Sequence, residues 1–543
     1  MARSALMNAL LRAVRAAGAS NTSASRPRGL SPEITRRGLL VGGLAITGAT
    51  VACKTKSESV PPVLAEAGLP TPPTASVEDA GVVVVGGGIA GLLCAYRLKQ
   101  SGVAARLFEA YGRVGGRIMT VRSSFADNQI AELGGELIDT GHRTLHALAP
   151  ELGLQLADLR AGSEALEPVF LFGNRRLSER DIVAALRPVV KRIKAEVDAL
   201  GSPDVPYKAT GVFRERDAWS IDEWLKRNRV EGPAADVIRI AFTTELGLEP
   251  EQLSCIPMLQ MVAIEANKLH LYGDSDEKYH VRGGNDQITE SLAKALGDTV
   301  LQGTALEAMS RLPDGRVLLS FQRGAGHLEI RADRVVLALP FSILRSVKID
   351  DNVGLSERKK QSIRELGYGT NAKLILGFKS RLWKTKRLTG EIFSDLPFQS
   401  TWDGSRAQPG DAGMLTVFTG GTRGLNLKDA SQRKDETLEQ LDQVVPGLRA
   451  EADGRAVGFH WPTYPGTLGS YSTWKVGQMT AFGGVEQEVE GGNVHFAGEH
   501  TSLAFQGFME GGAESGERAA KEVLKALGKT SSPVAPPEAG APR

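Results

Sequence analysis

Three glycines and one acid near the start of the folded sequence have the residue types and spacing to hold a dinucleotide. Gly86, Gly88 and Gly91 stand in the run Gly86-Gly87-Gly88-Ile89-Ala90-Gly91. The β-branched run Val82-Val83-Val84-Val85 precedes it, as expected of a buried parallel strand, and a helix-forming stretch from Leu92 to Gln100 follows. In such a turn Gly86 permits the sharp reversal, Gly88 lets backbone approach a pyrophosphate, and Gly91 lets the helix pack on the strand. Ile89 and Ala90 open the helix, whose first N–H groups face the phosphates. A second strand, Ala105-Arg106-Leu107-Phe108, ends on Glu109-Ala110, where the Glu109 carboxylate can accept both ribose hydroxyls. The glycines alone would also describe an ordinary turn. A strand before, a helix after and an acid about 20 residues on are the context that makes them a nucleotide site.

A basic glycine turn follows the acid, Gly112-Arg113-Val114-Gly115-Gly116-Arg117. Its backbone, with Arg113, Gly116 and Arg117, suits a long diphosphate better than a simple nicotinamide fold requires; a solvated basic turn is the plainer alternative. From this stretch on, the chain resembles the flavin-containing amine oxidase family, which covers monoamine, polyamine and L-amino-acid oxidases. Glu132-Leu133-Gly134-Gly135-Glu136 matches the family segment that passes the flavin ring, and Val281-Arg282-Gly283-Gly284 its second glycine turn. Val300 to Phe321, split by Pro313-Asp314-Gly315, has a hairpin pattern similar to the arm that holds the adenine near Ala305. Arg334 to Pro340 resembles the strand leading back to the substrate domain. His495-Phe496-Ala497-Gly498-Glu499-His500-Thr501 resembles the closing flavin motif, with Glu499 on the ribityl chain. Gln506-Gly507-Phe508-Met509-Glu510-Gly511 then opens a helix toward the flavin; Glu510 could equally be a surface acid.

The resemblance implies FAD as cofactor and assigns further roles. Lys373, in Tyr368-Gly369-Thr370-Asn371-Ala372-Lys373, matches the lysine that reaches the flavin through a water; a surface lysine is the alternative. Trp461 and Phe508 match aromatic walls of the substrate pocket, and aromatics so placed are also common in cores. Asp139 falls where polyamine oxidases face the substrate tunnel, or it caps a helix from Thr140 to Leu152. Two positions depart from the monoamine enzymes. Gly469 stands where they attach FAD through cysteine, so FAD is expected to be noncovalent, and Ser470 stands at the first cage tyrosine.

The elements that must position these residues give an α/β fold class. The expected architecture is a discontinuous Rossmann-like FAD-binding domain (80–140, 280–345 and 455–527) and an α+β substrate domain (141–279 and 346–454). Apolar residues at helical spacing from Ile182 to Leu200 suggest a helical cap, and Pro446-Gly447 a loop. At 543 residues with 42 % hydrophobic and 24 % charged residues, the chain is sized for two packed domains. A net charge of +2 offers no reason to expect nucleic acid. Three cysteines, Cys53, Cys94 and Cys255, argue against a disulfide framework or a thiolate metal cluster, and no metal site is expected.

The N-terminus reads as address rather than fold. Thr35-Arg36-Arg37-Gly38-Leu39-Leu40 and the uncharged run to Cys53 resemble a twin-arginine export signal; a chance arginine pair before an anchor helix is the alternative. Leu39 departs from the usual phenylalanine. Cys53 stands where a lipidated cysteine would attach the chain to a membrane, with Thr50 departing from the usual aliphatic residue. Residues 54–79 are expected to be a flexible linker and 528–543 a disordered tail. The expected function is oxidation of an amine C–N bond with dioxygen as final acceptor, in an exported protein, with oligomerisation open. The alternatives are an L-amino-acid oxidase, with Arg143 or Arg282 as carboxylate clamp, a desaturase on the same fold, or a non-catalytic flavin binder.

Overall fold

The computed structural model describes residues 77–530 except 164, 202, 262, 266 and 267. The Arg36–Arg37 signal, Cys53 and most of the expected linker and tail lie outside the described residues. The linker ends earlier than expected, because Val77–Val85 is already a strand.

That strand is central to an eight-stranded sheet. Its parallel part runs Val300–Leu301, Ala105–Phe108, Val77–Val85, Gly326–Leu337 and Val494–Phe496. Val82 to Val85 are buried, as four β-branched residues between two covering layers should be. Gly326–Leu337 serves two layers. Its first half pairs antiparallel with Val317–Arg323, which pairs in turn with Thr304–Arg311, while its end pairs parallel with Val494–Phe496. The chain passes to opposite sides of Val77–Val85, so a crevice opens beyond the carboxyl ends of these strands, where doubly wound sheets bind ligands.

Each fingerprint glycine has its own reason. Gly86 has φ +109°, and a Cβ there would lie 2.7 Å from the Ala338 carbonyl. A Cβ on Gly91 would lie 2.0 Å from the Gly86 carbonyl, so only glycine lets the helix Ile89–Gln100 sit on the turn. The last helix, Met509–Ala526, uses the same device against the first. A Cβ on Gly512 would come within 2.7 Å of Ile89 Cγ2, and one on Gly516 within 2.4 Å of the Ala90 carbonyl. These glycines thereby let the helix Met509–Ala526 lie close on Ile89–Gln100.

A second sheet of seven strands runs Ala452–His460, Ala372–Phe378, Gly413–Thr419, Ser400–Asp403, Leu388–Ser394, Glu167–Phe172 and Arg175–Leu177. Ala452–His460 belongs here, so the boundary expected at 455 falls inside a strand of this sheet, because its pairing with Ala372–Phe378 runs on to His460. Likewise Lys348–Ile349, placed beyond 345, pairs with Thr304–Arg311 of the first sheet. The expected cap is a helix, Glu179–Leu200, started by a capping box between Ser178 and Asp181. It buries Ile182, Leu186, Val189 and Ile193 in a cluster with Trp224 and Phe242. The Pro446-Gly447 turn is present, with Gly447 at φ +99°. Among the described residues, no helix is long and apolar enough to cross a membrane.

Candidate active site

The crevice is a cleft of ≈ 340 Å³. It brings together Gly86, Gly88, Ile89, Ala90, Glu109, Ala110, Arg113, Gly116, Arg117, Gly135, Ala305, Gly498, Glu499, Gly507, Phe508 and Met509. A Cβ built on Gly88 would meet no protein atom within 4 Å. It would enter the cleft, so backbone there is bared toward a ligand. The N-termini of two helices face the same space, Ile89 and Ala90 from one, Phe508 and Met509 from the other. The positive ends of their dipoles suit an anionic, phosphate-bearing group. Glu109 Oε2 accepts from Gly87 N at 2.6 Å and Oε1 from Tyr111 N at 2.9 Å. Each oxygen keeps a lone pair for a ribose hydroxyl. Burial pushes this carboxyl up, against the pull of those two N–H donors and Arg113.

The two arginines are already engaged. Arg113 donates to the carbonyls of Gly116 and Ile118, at 2.9 and 2.6 Å, and so staples its own turn. Arg117 pairs with Glu499 at 2.6 Å. Glu499 also accepts from Ser472 N (3.0 Å), Ser472 Oγ (2.7 Å) and Gly507 N (2.7 Å). Both arginines line the cleft while anchoring its wall through these protein acceptors. Glu499 likewise ties the basic turn, the 470–472 segment and the last helix into one wall of the cleft.

This wall has a pH signature. Burial would raise the Glu499 carboxyl, but Arg117, His500 and Ser472 outweigh it and hold it at about 2, against 4.5 unperturbed. A folded-state value below the unfolded one stabilises above pH ~4.5 and is lost as pH falls through about 2. The shift is worth about 3 kcal/mol for a buried group. Glu499→Gln should therefore lower Tm most near neutral pH, with the gap to wild type closing toward pH 2. A constant gap across that range would refute the assignment. His500, beside it, is a neutral ring 4.4 Å from Phe341, pushed down to about 3 by burial.

Gly91, Gly134, Glu136, Lys373, Trp461 and Asp139 do not line this cleft. Gly134, Glu136, Lys373 and Trp461 instead meet next to it, at the segment 132–136. Five consecutive carbonyls of that segment accept side-chain donors. Lys373 Nζ binds those of Glu132 (2.9 Å) and Gly134 (3.1 Å), and Trp461 Nε1 that of Leu133 (2.9 Å). Asn285 Nδ2 binds those of Gly135 (3.0 Å) and Glu136 (2.8 Å). A Cβ on Gly134 would lie 1.9 Å from the Arg117 carbonyl, so the strip also packs backbone to backbone.

Lys373 is 2 % exposed, so it is no surface lysine. Its third donor goes to Glu136 Oε2 at 2.7 Å, and Trp402 Nε1 binds Glu136 Oε1 at 2.7 Å. Burial would raise Glu136, but the Lys373 charge and hydrogen bond and the Trp402 N–H hold it below its ordinary value. Lys373 Nζ thus has a protein acceptor for each of its three protons, on Glu132, Gly134 and Glu136. What it offers the site is a fixed charge and a clamp. Trp461, expected as a wall of the substrate pocket, clamps the strip and packs 4.5 Å from Phe459.

Asp139 is not a helix cap. The helix starts at Arg143 with His142 at its N-cap, while Asp139 Oδ1 accepts from Glu277 N at 2.7 Å and Oδ2 lies 3.3 Å from His142 Nε2. The cap comes from afar: buried Glu510 accepts from Thr144 N (2.7 Å) and Leu145 N (2.9 Å), so it is no surface acid. His142 packs 5.4 Å from Phe508, which links Asp139 to the cleft wall. Asp139, Glu245 and Glu277 are all buried, and burial together with the other two carboxylates raises Glu277 well above its ordinary value. Arg143 and Arg282 are exposed and do not line this cleft. Sequence reasoning missed Asn285, Trp402 and the Tyr464–Leu468 lining, where Tyr464 stacks 6.0 Å from Tyr111. Only the Pro465-Gly466 turn signal pointed to the last.

Gly469 excludes a cysteine thioether at its own position on two counts. It has no sulfur, and a Cβ there would lie 2.5 Å from Tyr368 Cβ. Cys94 and Cys255 are buried and line no part of the cleft. Residues 89–524 match the family described as flavin containing amine oxidoreductase. The YobN protein of Bacillus subtilis, provisionally named an L-amino-acid oxidase, is 27 % identical over 83 % of this chain and 96 % of its own. Amine oxidase [flavin-containing] B of Sus scrofa is 26 % identical over 82 % and 86 %. Cyclohexylamine oxidase from Brevibacterium oxydans shares the fold at TM-score 0.71, 21 % identity, over 83 % of this chain and all of that one. With the bared Gly88 backbone, the paired helix N-termini and Glu109 fitting noncovalent FAD, the chain belongs to the flavin containing amine oxidoreductase family and is an FAD-dependent enzyme.

Proposed function

We propose that this enzyme oxidises the carbon–nitrogen bond of an amine, bound with that nitrogen uncharged, to an imine, which hydrolyses to a carbonyl compound and ammonia or an amine. Bound FAD supplies the two-electron acceptor and passes the electrons to dioxygen, giving hydrogen peroxide. The single observation that carries this reading is the clamped strip 132–136 beside the cleft, with the buried Lys373–Glu136 pair at its back. The clamps hold the strip rigid, as a site that must align a C–H bond requires. Phe508 gives the cleft an apolar wall that excludes water. The N-terminus of Met509–Ala526 turns the positive end of its dipole to the same space, where negative charge is stabilised.

The buried acids Asp139, Glu245 and Glu277 favour a cationic substrate. A second reading, oxidation of an L-amino acid, draws on the names of relatives and on Arg160 and Arg406, both close enough to pull Glu277 down. A peroxide-release panel over diamines, aryl amines and L-amino acids separates the two. Amines are expected to dominate; turnover confined to amino acids would replace the first reading with the second. The Arg36–Arg37 pair supports export, as part of the same proposal.

A further inference from the structure

Two small polar cavities lie end to end behind the Lys373–Glu136 pair. The inner one is lined by Glu132, Glu136, His280, Asp403, Arg406 and Thr416 and leaves ≈ 20 Å³ for water centres. The outer one leaves ≈ 50 Å³ and reaches the exposed residues Ala161, Gly162, Lys384 and Ala407. Leu159, Asp403 and Arg406 line both.

We infer that the two cavities form one water path from the surface to Glu136, and that Glu136 is the group through which protons pass between that path and Lys373. Polar cavities of about 10–15 Å³ or more hold water when two to four polar partners are present, whereas apolar ones stay dry. The inner cavity offers three carboxylates, a guanidinium and an imidazole. Glu136 faces both ways: one oxygen binds Lys373 and the other Trp402, each at 2.7 Å, and both keep a lone pair for water. His280 Nε2, 3.0 Å from Glu132 Oε1, adds a second titratable group on the inner wall. At the shared wall Arg406 is loosely held, with one bond to the Asp403 carbonyl at 2.9 Å and Glu391 3.8 Å away.

This inference rests on the amine-oxidase reading, which requires such a route. Oxidising R₂CH–NH₂ to R₂C=NH releases two electrons and two protons, and reducing dioxygen to hydrogen peroxide takes up two of each. The electrons pass through the flavin, while the protons must cross a site in which Lys373 and Glu136 are 2 % and 7 % exposed. The path carries protons alone.

Leu159→Trp should plug the junction of the cavities without touching the cleft. In the flavin-loaded enzyme, anaerobic reduction by substrate should be unchanged. Reoxidation by dioxygen should slow by about 10²-fold, the scale of losing a positioned proton donor, and its solvent deuterium isotope effect should rise above unity. Leu159→Phe is the second variant should the tryptophan fail to fold, with the same expectation. A crystal structure of the wild-type holoenzyme gives an independent reading, with ordered waters expected between Glu136 and Arg406. Dry cavities, or reoxidation at the wild-type rate in a folded plugged variant, would overturn the path. If no amine reduces the flavin at all, the functional reading fails, and the crystal waters still decide whether the path exists.

Discussion

Gly88→Val is expected to yield a folded protein that no longer holds FAD. The position has φ −75°, which any residue adopts, and a Cβ there meets no protein atom within 4 Å. The fold therefore gives the valine room, and the whole cost falls on the ligand that must lie against this backbone. Contrast Gly86, with φ +109°, and Gly91, whose Cβ would strike the Gly86 carbonyl at 2.0 Å: valine at either would break the turn itself. Displacing a diphosphate from its backbone donors should raise Kd roughly a hundredfold or more, about 3 kcal/mol. Circular dichroism and bound-flavin absorbance on the same sample check both halves. A folded variant with normal flavin content would show that the diphosphate lies elsewhere.

The second large effect is expected at the buried ion pair. Lys373→Met alone would strand the Glu136 carboxylate in the interior, at a cost of about 3–5 kcal/mol. A change in rate could then be mere unfolding. The double variant Lys373→Met, Glu136→Gln removes both charges and keeps a hydrogen-bond acceptor for Trp402 Nε1. We expect anaerobic reduction by substrate to change little and reoxidation by dioxygen to slow by ~10²-fold, as for the loss of one preorganised charge in a dry site. Stopped-flow absorbance of the two half-reactions is the measurement. Slower reduction with normal reoxidation would make Lys373 a substrate-positioning residue. If neither changes, its part is only to clamp the Glu132 and Gly134 carbonyls.

The cleft was legible in the sequence because its logic is local. Strand, glycine turn, helix and Glu109 sit within one supersecondary unit, and Gly91 is demanded by the Gly86 carbonyl of the same turn. The hairpin carrying Ala305 and the helix after Gly507 were legible for the same reason, since turn chemistry and capping are written in adjacent residues. What escaped were pairings between distant segments. Trp402 meets Glu136 across 266 positions, and Lys373 meets it across 237. Nothing beside Trp402 marks it as a donor to a buried carboxylate. Asn285 lies next to the second glycine turn, where its side chain could serve as well for a cap as for two carbonyls of another strip. A surface acid stayed an open alternative for Glu510 because the helix it caps lies 366 positions away. Glu499 and Arg117 were assigned to the cofactor, and the structure shows them first satisfying each other. Residue type gave the chemistry of these groups; only the tertiary fold says which partner claims it.

Anaerobic titration of the purified protein tests the central claim most directly. An amine substrate should bleach the oxidised flavin absorbance in proportion to amine added, and air should restore it with one hydrogen peroxide formed per amine oxidised. Acid should then release intact FAD into the supernatant. Flavin that no amine or amino acid can bleach, or bleached flavin that air does not restore, would contradict an FAD-dependent amine oxidase.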